Sequence, residues 1–186
     1  MTRPRSASTL APTLLVSMPQ MLDPNFARTV VLLCEHSSEG AFGLVVNRPT
    51  ETPAAKAVHL EPPPATDGGT LLWVGGPVEP QRGWILMPAA PPDGEALEVT
   101  EGVYLSTSLD VLRAVIEGRD QRPRVLTGYA GWGPGQLDEE LAQSAWLTAD
   151  VTPQLVFETA SNDMWEAAIR QLGADPGQLQ VGHGVH

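Results

Sequence analysis

At 186 residues and 42% hydrophobic, the chain suits one globular domain whose core needs no disulfide or metal support. Eleven Lys and Arg against 22 Asp and Glu leave a formal charge of −11, which repels a nucleic-acid backbone unless the few cations gather on one face. The longest apolar run, 30–34, is far short of the roughly 20 residues of a membrane span, and the single cysteine, Cys34, suits a reducing cytoplasm.

In chain order, residues 1–12 carry arginines but no apolar signal-peptide core, and read as a mobile tail ahead of one domain over 13–186. TLLVS (13–17) predicts a first strand. TVVLLCEH (29–36) and AFGLVVN (41–47) are β-rich runs joined by Ser37-Ser38-Glu39-Gly40, a hairpin loop with glycine where a positive φ is needed. Pro49 cannot donate to a ladder and is expected to end the second of these strands. Residues 52–60 predict a short helix and 61–69 a loop. Strands are expected over 70–74 and 83–87 around the turn Gly75-Gly76-Pro77, then a loop over 88–95 and a strand over 97–106.

Ser108 is a suitable N-cap for a helix from Leu109 to Glu117 closed by Gly118, with Leu109, Leu112, Val115 and Ile116 on its inward face. Arg124–Tyr129 reads as a strand running into GYAGWGPGQ (128–136). A helix then starts at Pro134 with Gly133 as cap and Leu137, Leu141 and Ala145 inward. The last predicted helix is 163–172, stopped by Gly173. Strands mixed with three or four helices after an opening hairpin predict an α/β or α+β domain on a mixed sheet.

The glycine-rich turn is the densest signature in the chain. A phosphate cradle fits it poorly: the spacing is not G-x-G-x-x-G, Pro134 removes a donor, and Asp138, Glu139 and Glu140 repel an anion. The single lysine, Lys56, follows no P-loop motif. The bland reading is a sharp turn that lets Trp132 and Trp146 pack on backbone; the functional one is a surface for a ligand or partner.

Cys34 and His36 stand two apart on a strand, so both point to one face as a candidate thiol and base. Against this, Cys34 shares its face with Val30 and Leu32 and reads as a core thiol. The four histidines, His36, His59, His183 and His186, form no metal-ligand spacing beyond a His183/His186 pair near the C-terminus, so no metal site or cofactor is expected. Arg48 and Arg82, each at a strand end or turn, are better binding candidates. Arg113, Arg119, Arg122 and Arg124 form the one basic group that a DNA-binding reading could use.

The stretches SMPQMLDPNF (17–26), TVVLLCEHSSEGAFGLVVNRP (29–49), VGGPVEPQRGWIL (74–86), GYAGWGPGQLDEELAQSAWL (128–147) and LVFETASNDMWEAAI (155–169) resemble the bacterial AlgH/YqgE family from about Leu14 to the C-terminus. The resemblance implies a single-domain fold peculiar to that family and a bacterial cytosolic setting, and its name brings an association with transcriptional regulation. It carries over no activity, cofactor or catalytic residue set. Where family members often have histidine, this chain has Met87.

The turns 47–49, 75–77 and 128–136 all fall at predicted strand ends. They are expected to converge on a cleft formed by Asn47, Arg48, Gly75, Gly76, Tyr129, Trp132 and Gln136, with the aromatics as walls and Arg48 as a charged handle. The expected function is a non-enzymatic module binding a small molecule or a protein, with a regulatory role. A thiol enzyme using Cys34 and His36 and a DNA-binding regulator are the alternatives.

Overall fold

The unbroken apolar runs Leu14–Val16 and Val30–Leu33 need cover on both faces, and the computed structural model, which describes residues 9–66, 69–92 and 95–179, supplies it. Among those residues ten strands run in the spatial order β10-β1-β2-β3-β9-β6-β8-β7, with β4 and β5 as a side branch. They are β1 (Thr13–Ser17), β2 (Val30–Ser37), β3 (Gly40–Val45), β4 (Pro49–Pro53), β5 (Leu71–Val74), β6 (Val78–Met87), β7 (Leu97–Thr100), β8 (Val103–Ser106), β9 (Arg124–Trp132) and β10 (Trp146–Ala149). The helices are α1 (Ala54–Ala57), α2 (Leu109–Glu117), α3 (Gln136–Ala142) and α4 (Ser161–Gln171), with a π-helical turn at Gln154–Glu158. The strand pairings are antiparallel except that β5 runs parallel to β9. The fold is therefore a single α+β domain on a curled, mixed sheet.

Successive residues of β1 and β2 feed opposite layers. Leu14, Val16, Val30 and Leu32 join Phe157, Met164, Trp165 and Ile169 of the π-turn and α4. Leu15, Val31 and Leu33 join Trp132, Trp146 and Leu137 of α3 on the other face. A third core packs α2 on Ile85, Met87 and Val125. Met87 is thus a core residue beneath α2, and a histidine there would sit in an apolar layer.

The structure departs from the sequence reading where long-range pairing overrides local signals. The chain is extended again from Pro49, which opens β4; at a strand's first position its missing N–H does no harm. The run 97–106 is two strands folded back at Glu101-Gly102. β9 continues through the glycines to Trp132, and α3 begins at Gln136 behind Gly135, whose φ of +75° makes it the cap in place of Gly133. Helix α2 keeps its predicted ends, with the Ser108 hydroxyl accepting the Val111 N–H. Its buried stripe is Val111, Leu112, Val115 and Ile116, which leaves Leu109 at the edge and 65% exposed. Strand β10 carries no local signal of its own and exists through its pairing with β1. His183 and His186 lie outside the described residues. Residues 9–12, read as tail, lie along the sheet: the Leu10 N–H donates to His36 Nδ1 (3.0 Å) and Ala11 packs against the second core.

Candidate functional site

The glycine turns meet each other. Gly75 donates its N–H to the Thr127 carbonyl (2.7 Å) and accepts from Val45 (2.7 Å), which draws the β5–β6 connection across β9. A Cβ on Gly76 would overlap the Tyr129 carbonyl, and one on Gly128 (φ +77°) would overlap the Gly76 carbonyl. These glycines permit a backbone crossing.

Asn47 and Arg48 are turned the other way. The Asn47 side chain accepts from the Val30 N–H (3.0 Å) and donates to the Arg28 carbonyl (3.1 Å). The Arg48 guanidinium donates to the carbonyls of Asn25 (2.8 Å) and Ala27 (2.9 Å). Partial burial lowers its proton affinity, with Asp23 opposing. Both residues hold the 23–30 segment against the sheet. The Arg48 backbone does reach β5, accepting the Val74 N–H (2.8 Å), so the first two turns are neighbours, but the guanidinium is no handle for the aromatics. Gln136 closes its own turn: its Oε1 accepts the Gly133 N–H (3.0 Å) and its Nε2 donates to Glu140 (3.1 Å).

Of the expected cleft, Tyr129 and Trp132 do line open space, with partners that the sequence reading placed in plain strands. A groove of about 640 Å³ runs over β2, β3, β9 and β6, walled by Phe42, Trp84, Tyr129 and Trp132, with Cys34, Glu35 and Arg82 at its sides. It adjoins a hollow of about 610 Å³ at the β2–β3 turn, which shares Cys34, Glu35, Phe42 and Trp132 and adds His36 and Glu39. The three rings touch: Phe42 to Trp84 at 4.9 Å between centroids, Phe42 to Tyr129 at 5.2 Å, and Trp84 to Tyr129 at 6.1 Å. Phe42 and Trp84 escaped notice because an aromatic in a strand reads as core. The signal that could have found them is their register, since Phe42 pairs with Gly131 and so is left open on one flank.

Strand β6 makes room for a polar rim. Val78 pairs with Tyr129 and Gly83 with Thr127, so 79–82 loop out of the ladder, and Glu79 takes φ +47°. Arg82 of this excursion lies over the Trp84 ring (4.7 Å to its centroid) and pairs with Glu79 at 3.6 Å. The Tyr129 hydroxyl donates to Glu79 (3.1 Å), and this bond holds the phenol proton above the ordinary range.

The thiol and imidazole turn to different layers of the fold. A bulge between Leu33 and Glu35 inserts Cys34 as an extra residue, and the alternation of β2 shifts by one beyond it. Cys34 packs with the first core, whereas His36 turns to the second, where its Nε2 meets Asp138 of α3 at 3.1 Å. Because His36 Nδ1 accepts the Leu10 N–H, Nε2 carries the proton toward Asp138. Burial, aided by the charge on Glu35, pushes the Cys34 thiol up to about 12. At pH 8 the native thiol should therefore react with iodoacetamide ~100-fold or more slowly than the urea-unfolded chain. Mass-resolved labelling measures this, and equal rates would mean an accessible thiolate. Since folding raises this pKa from 9.0, its contribution to stability is complete below pH 9.0 and is lost as the pH climbs toward about 12, a decline that Cys34→Ala should lack.

Three of the four arginines proposed for DNA, Arg113, Arg122 and Arg124, are occupied within the chain. Arg113 donates to the Pro62 carbonyl and pairs with Glu117 at 3.5 Å, and Arg122 pairs with Asp120 at 2.9 Å. Arg124, its proton affinity lowered by burial, donates to the Phe157 carbonyl (2.9 Å) and stacks on Trp73. Among the described residues no cluster of three metal-ligating side chains occurs, and no helix is long and apolar enough to cross a membrane.

A curled sheet covered by helices, with an aromatic-walled groove along one side, defines a small α+β sheet domain. The AlgH-like family model matches residues 14–177, and the chain belongs to that family. It is 44% identical over 176 residues to a UPF0301 protein of Pseudomonas fluorescens, covering 91% of this chain and 93% of that one. A UPF0301 protein of Chromobacterium violaceum is 41% identical over 175 residues, covering 91% and 94%. The solution structure of the AlgH protein from Pseudomonas aeruginosa superposes with a TM-score of 0.76 at 36% identity, over 96% of this chain and 97% of that one.

Proposed function

We propose that the protein is a non-enzymatic binding module of the bacterial cytosol, exerting a regulatory role through a small molecule or protein held in the β2–β3–β9–β6 groove. The observation that carries this reading is the groove itself, about 640 Å³ with three mutually packed ring walls and a polar rim of Arg82 and Glu35. Size and lining match what ligand sites offer. The Cys34/His36 enzyme reading has no comparable support, because the bulge sends the two groups to different layers and the thiol stays protonated.

The test is native mass spectrometry of the protein incubated with the small-molecule and peptide fraction of bacterial cytosol. Gly131 is exposed, lines the groove and has an ordinary φ, so Gly131→Leu fills the space with little strain. A bound mass that disappears on denaturation and is lost in Gly131→Leu is the expected result. An unladen wild-type chain, or a bound mass indifferent to Gly131→Leu, overturns the proposal.

A further inference from the structure

Resting on that reading, the charges around the groove specify its occupant. Among the described residues Arg82 is the one arginine or lysine on the walls of the two hollows, and it is already engaged by Glu79 at 3.6 Å and by the Trp84 face. The imidazole of His36 is held at both nitrogens. Glu35 and Glu39, in contrast, project at the walls, and neither carboxylate has an ion-pair partner among the described residues. An anion entering here would meet two carboxylates without an ion-pair partner among the described residues and a cation already paired with Glu79. A cation would meet ring faces and those carboxylates, under the field of a chain with formal charge −11.

We propose that the groove binds an arginine side chain presented by a basic segment of a partner protein, and that Arg82 occupies its place in the free state. Arg82 demonstrates the fit, with a guanidinium seated over Trp84 and bridged through Glu79 to the Tyr129 hydroxyl. It is also built to leave. It belongs to the 79–82 excursion outside the β6–β9 ladder, so swinging it away breaks no strand pairing. The guest guanidinium takes the Trp84 face, its stem lies on Phe42, and flanking basic residues reach Glu35 and Glu39 in the adjoining hollow. Planar stacking together with forked donation to carboxylate favours arginine over lysine.

The experiment is a 1H–15N NMR titration with the acetylated, amidated peptide Ser-Lys-Leu-Arg-Leu-Lys-Ser and two relatives in which citrulline or glutamate replaces the arginine. The arginine peptide should move the Trp84 indole signal and the amides of Phe42, Tyr129 and Gly131, binding about tenfold more tightly than the uncharged citrulline isostere. Arg82→Ala should tighten it about threefold or more by vacating the ring, and Glu35→Gln should weaken it and flatten its salt dependence. If the citrulline or glutamate peptide moves the same signals equally well, the arginine proposal falls while the binding-module reading stands. If Arg82→Ala weakens the arginine peptide, Arg82 is no stand-in. If the arginine peptide leaves the groove signals unmoved, the proposal is overturned whatever the mass measurement finds.

Discussion

Gly128→Ala should lower the unfolding free energy by about 3 kcal/mol or more, the largest loss expected from a single methyl group in this chain. Two costs add. Alanine at φ +77° gives up roughly 1–2 kcal/mol of backbone preference, and its Cβ would occupy the position of the Gly76 carbonyl. The second cost has no cheap relief, because the opposing atoms are backbone. The neighbouring Gly75 is pinned on both sides, its N–H to Thr127 and its carbonyl to Val45. Retreat would therefore pull β5 and β6 from β9. Gly135→Ala is the control: its φ is +75°, but a Cβ there meets nothing within 4 Å, so it should lose only about 1 kcal/mol. Urea denaturation of the two variants separates conformation from contact. In a double-mutant cycle Gly76→Ala and Gly128→Ala should fall short of additivity, since one separation of the strands relieves both. Equal midpoints for Gly128→Ala and Gly135→Ala would show that the crossing yields easily.

Glu140→Ala should lose about 2–4 kcal/mol and disturb both tryptophans of the α3 layer. One carboxylate oxygen of Glu140 accepts both the Trp132 and the Trp146 indole N–H at 2.9 Å, and the other accepts Gln136 Nε2 at 3.1 Å. The two rings are 8% and 4% exposed and pack edge-on at 6.1 Å. Removing their shared acceptor leaves two sheltered donors unsatisfied, whereas each had a charge-assisted bond before. Glu140→Gln keeps an oxygen in place and should recover part of the loss. Both indole N–H resonances should shift upfield together in Glu140→Ala, because they share one partner. Movement of only one would mean that the second donor has another acceptor. Trp132 also walls the groove, so this helix residue shapes the groove through the ring it holds without lining it itself.

These two predictions rest on features that differ in how far the sequence discloses them. The crowding of Gly128, Gly131, Gly133 and Gly135 is evident in the sequence, and so is the choice between a ligand and the chain itself as the cause. What the sequence does not contain is the position of Gly76 against Gly128. Trp132 is likewise a visible aromatic, but its shared acceptor depends on α3 starting at Gln136. The φ of Gly135 delays that start past Pro134, where cap statistics place it.

The candidate site was legible in halves. Tyr129 and Trp132 stand out by motif and do line the groove, and Arg82 stands out as a cation at a turn. Arg48 stands out equally and instead holds the 23–28 segment, because carbonyls of that segment lie within its reach and only the packed chain brings them there. Cys34 and His36 show the sharper failure. A period of two is a sound rule for an unbroken strand, and one inserted residue reverses it for every position beyond.

By itself the sequence determined whatever depends on neighbours within a few residues. These are the ends of β1 and of α2 with its serine cap, the β2–β3 turn, the charge that disfavours nucleic acid, and the motifs that mark the family. Only the tertiary structure decided which strands pair across long separations, that β10 exists, that Phe42 and Trp84 complete a ring-walled groove, and that Arg82 rather than Arg48 stands over it. Local propensity acts through backbone dihedrals and contacts one helical turn away, so it is written in short stretches. Register, bulges and the convergence of side chains arise when ten strands compete for partners, and that competition is resolved by burying both faces of the sheet at once.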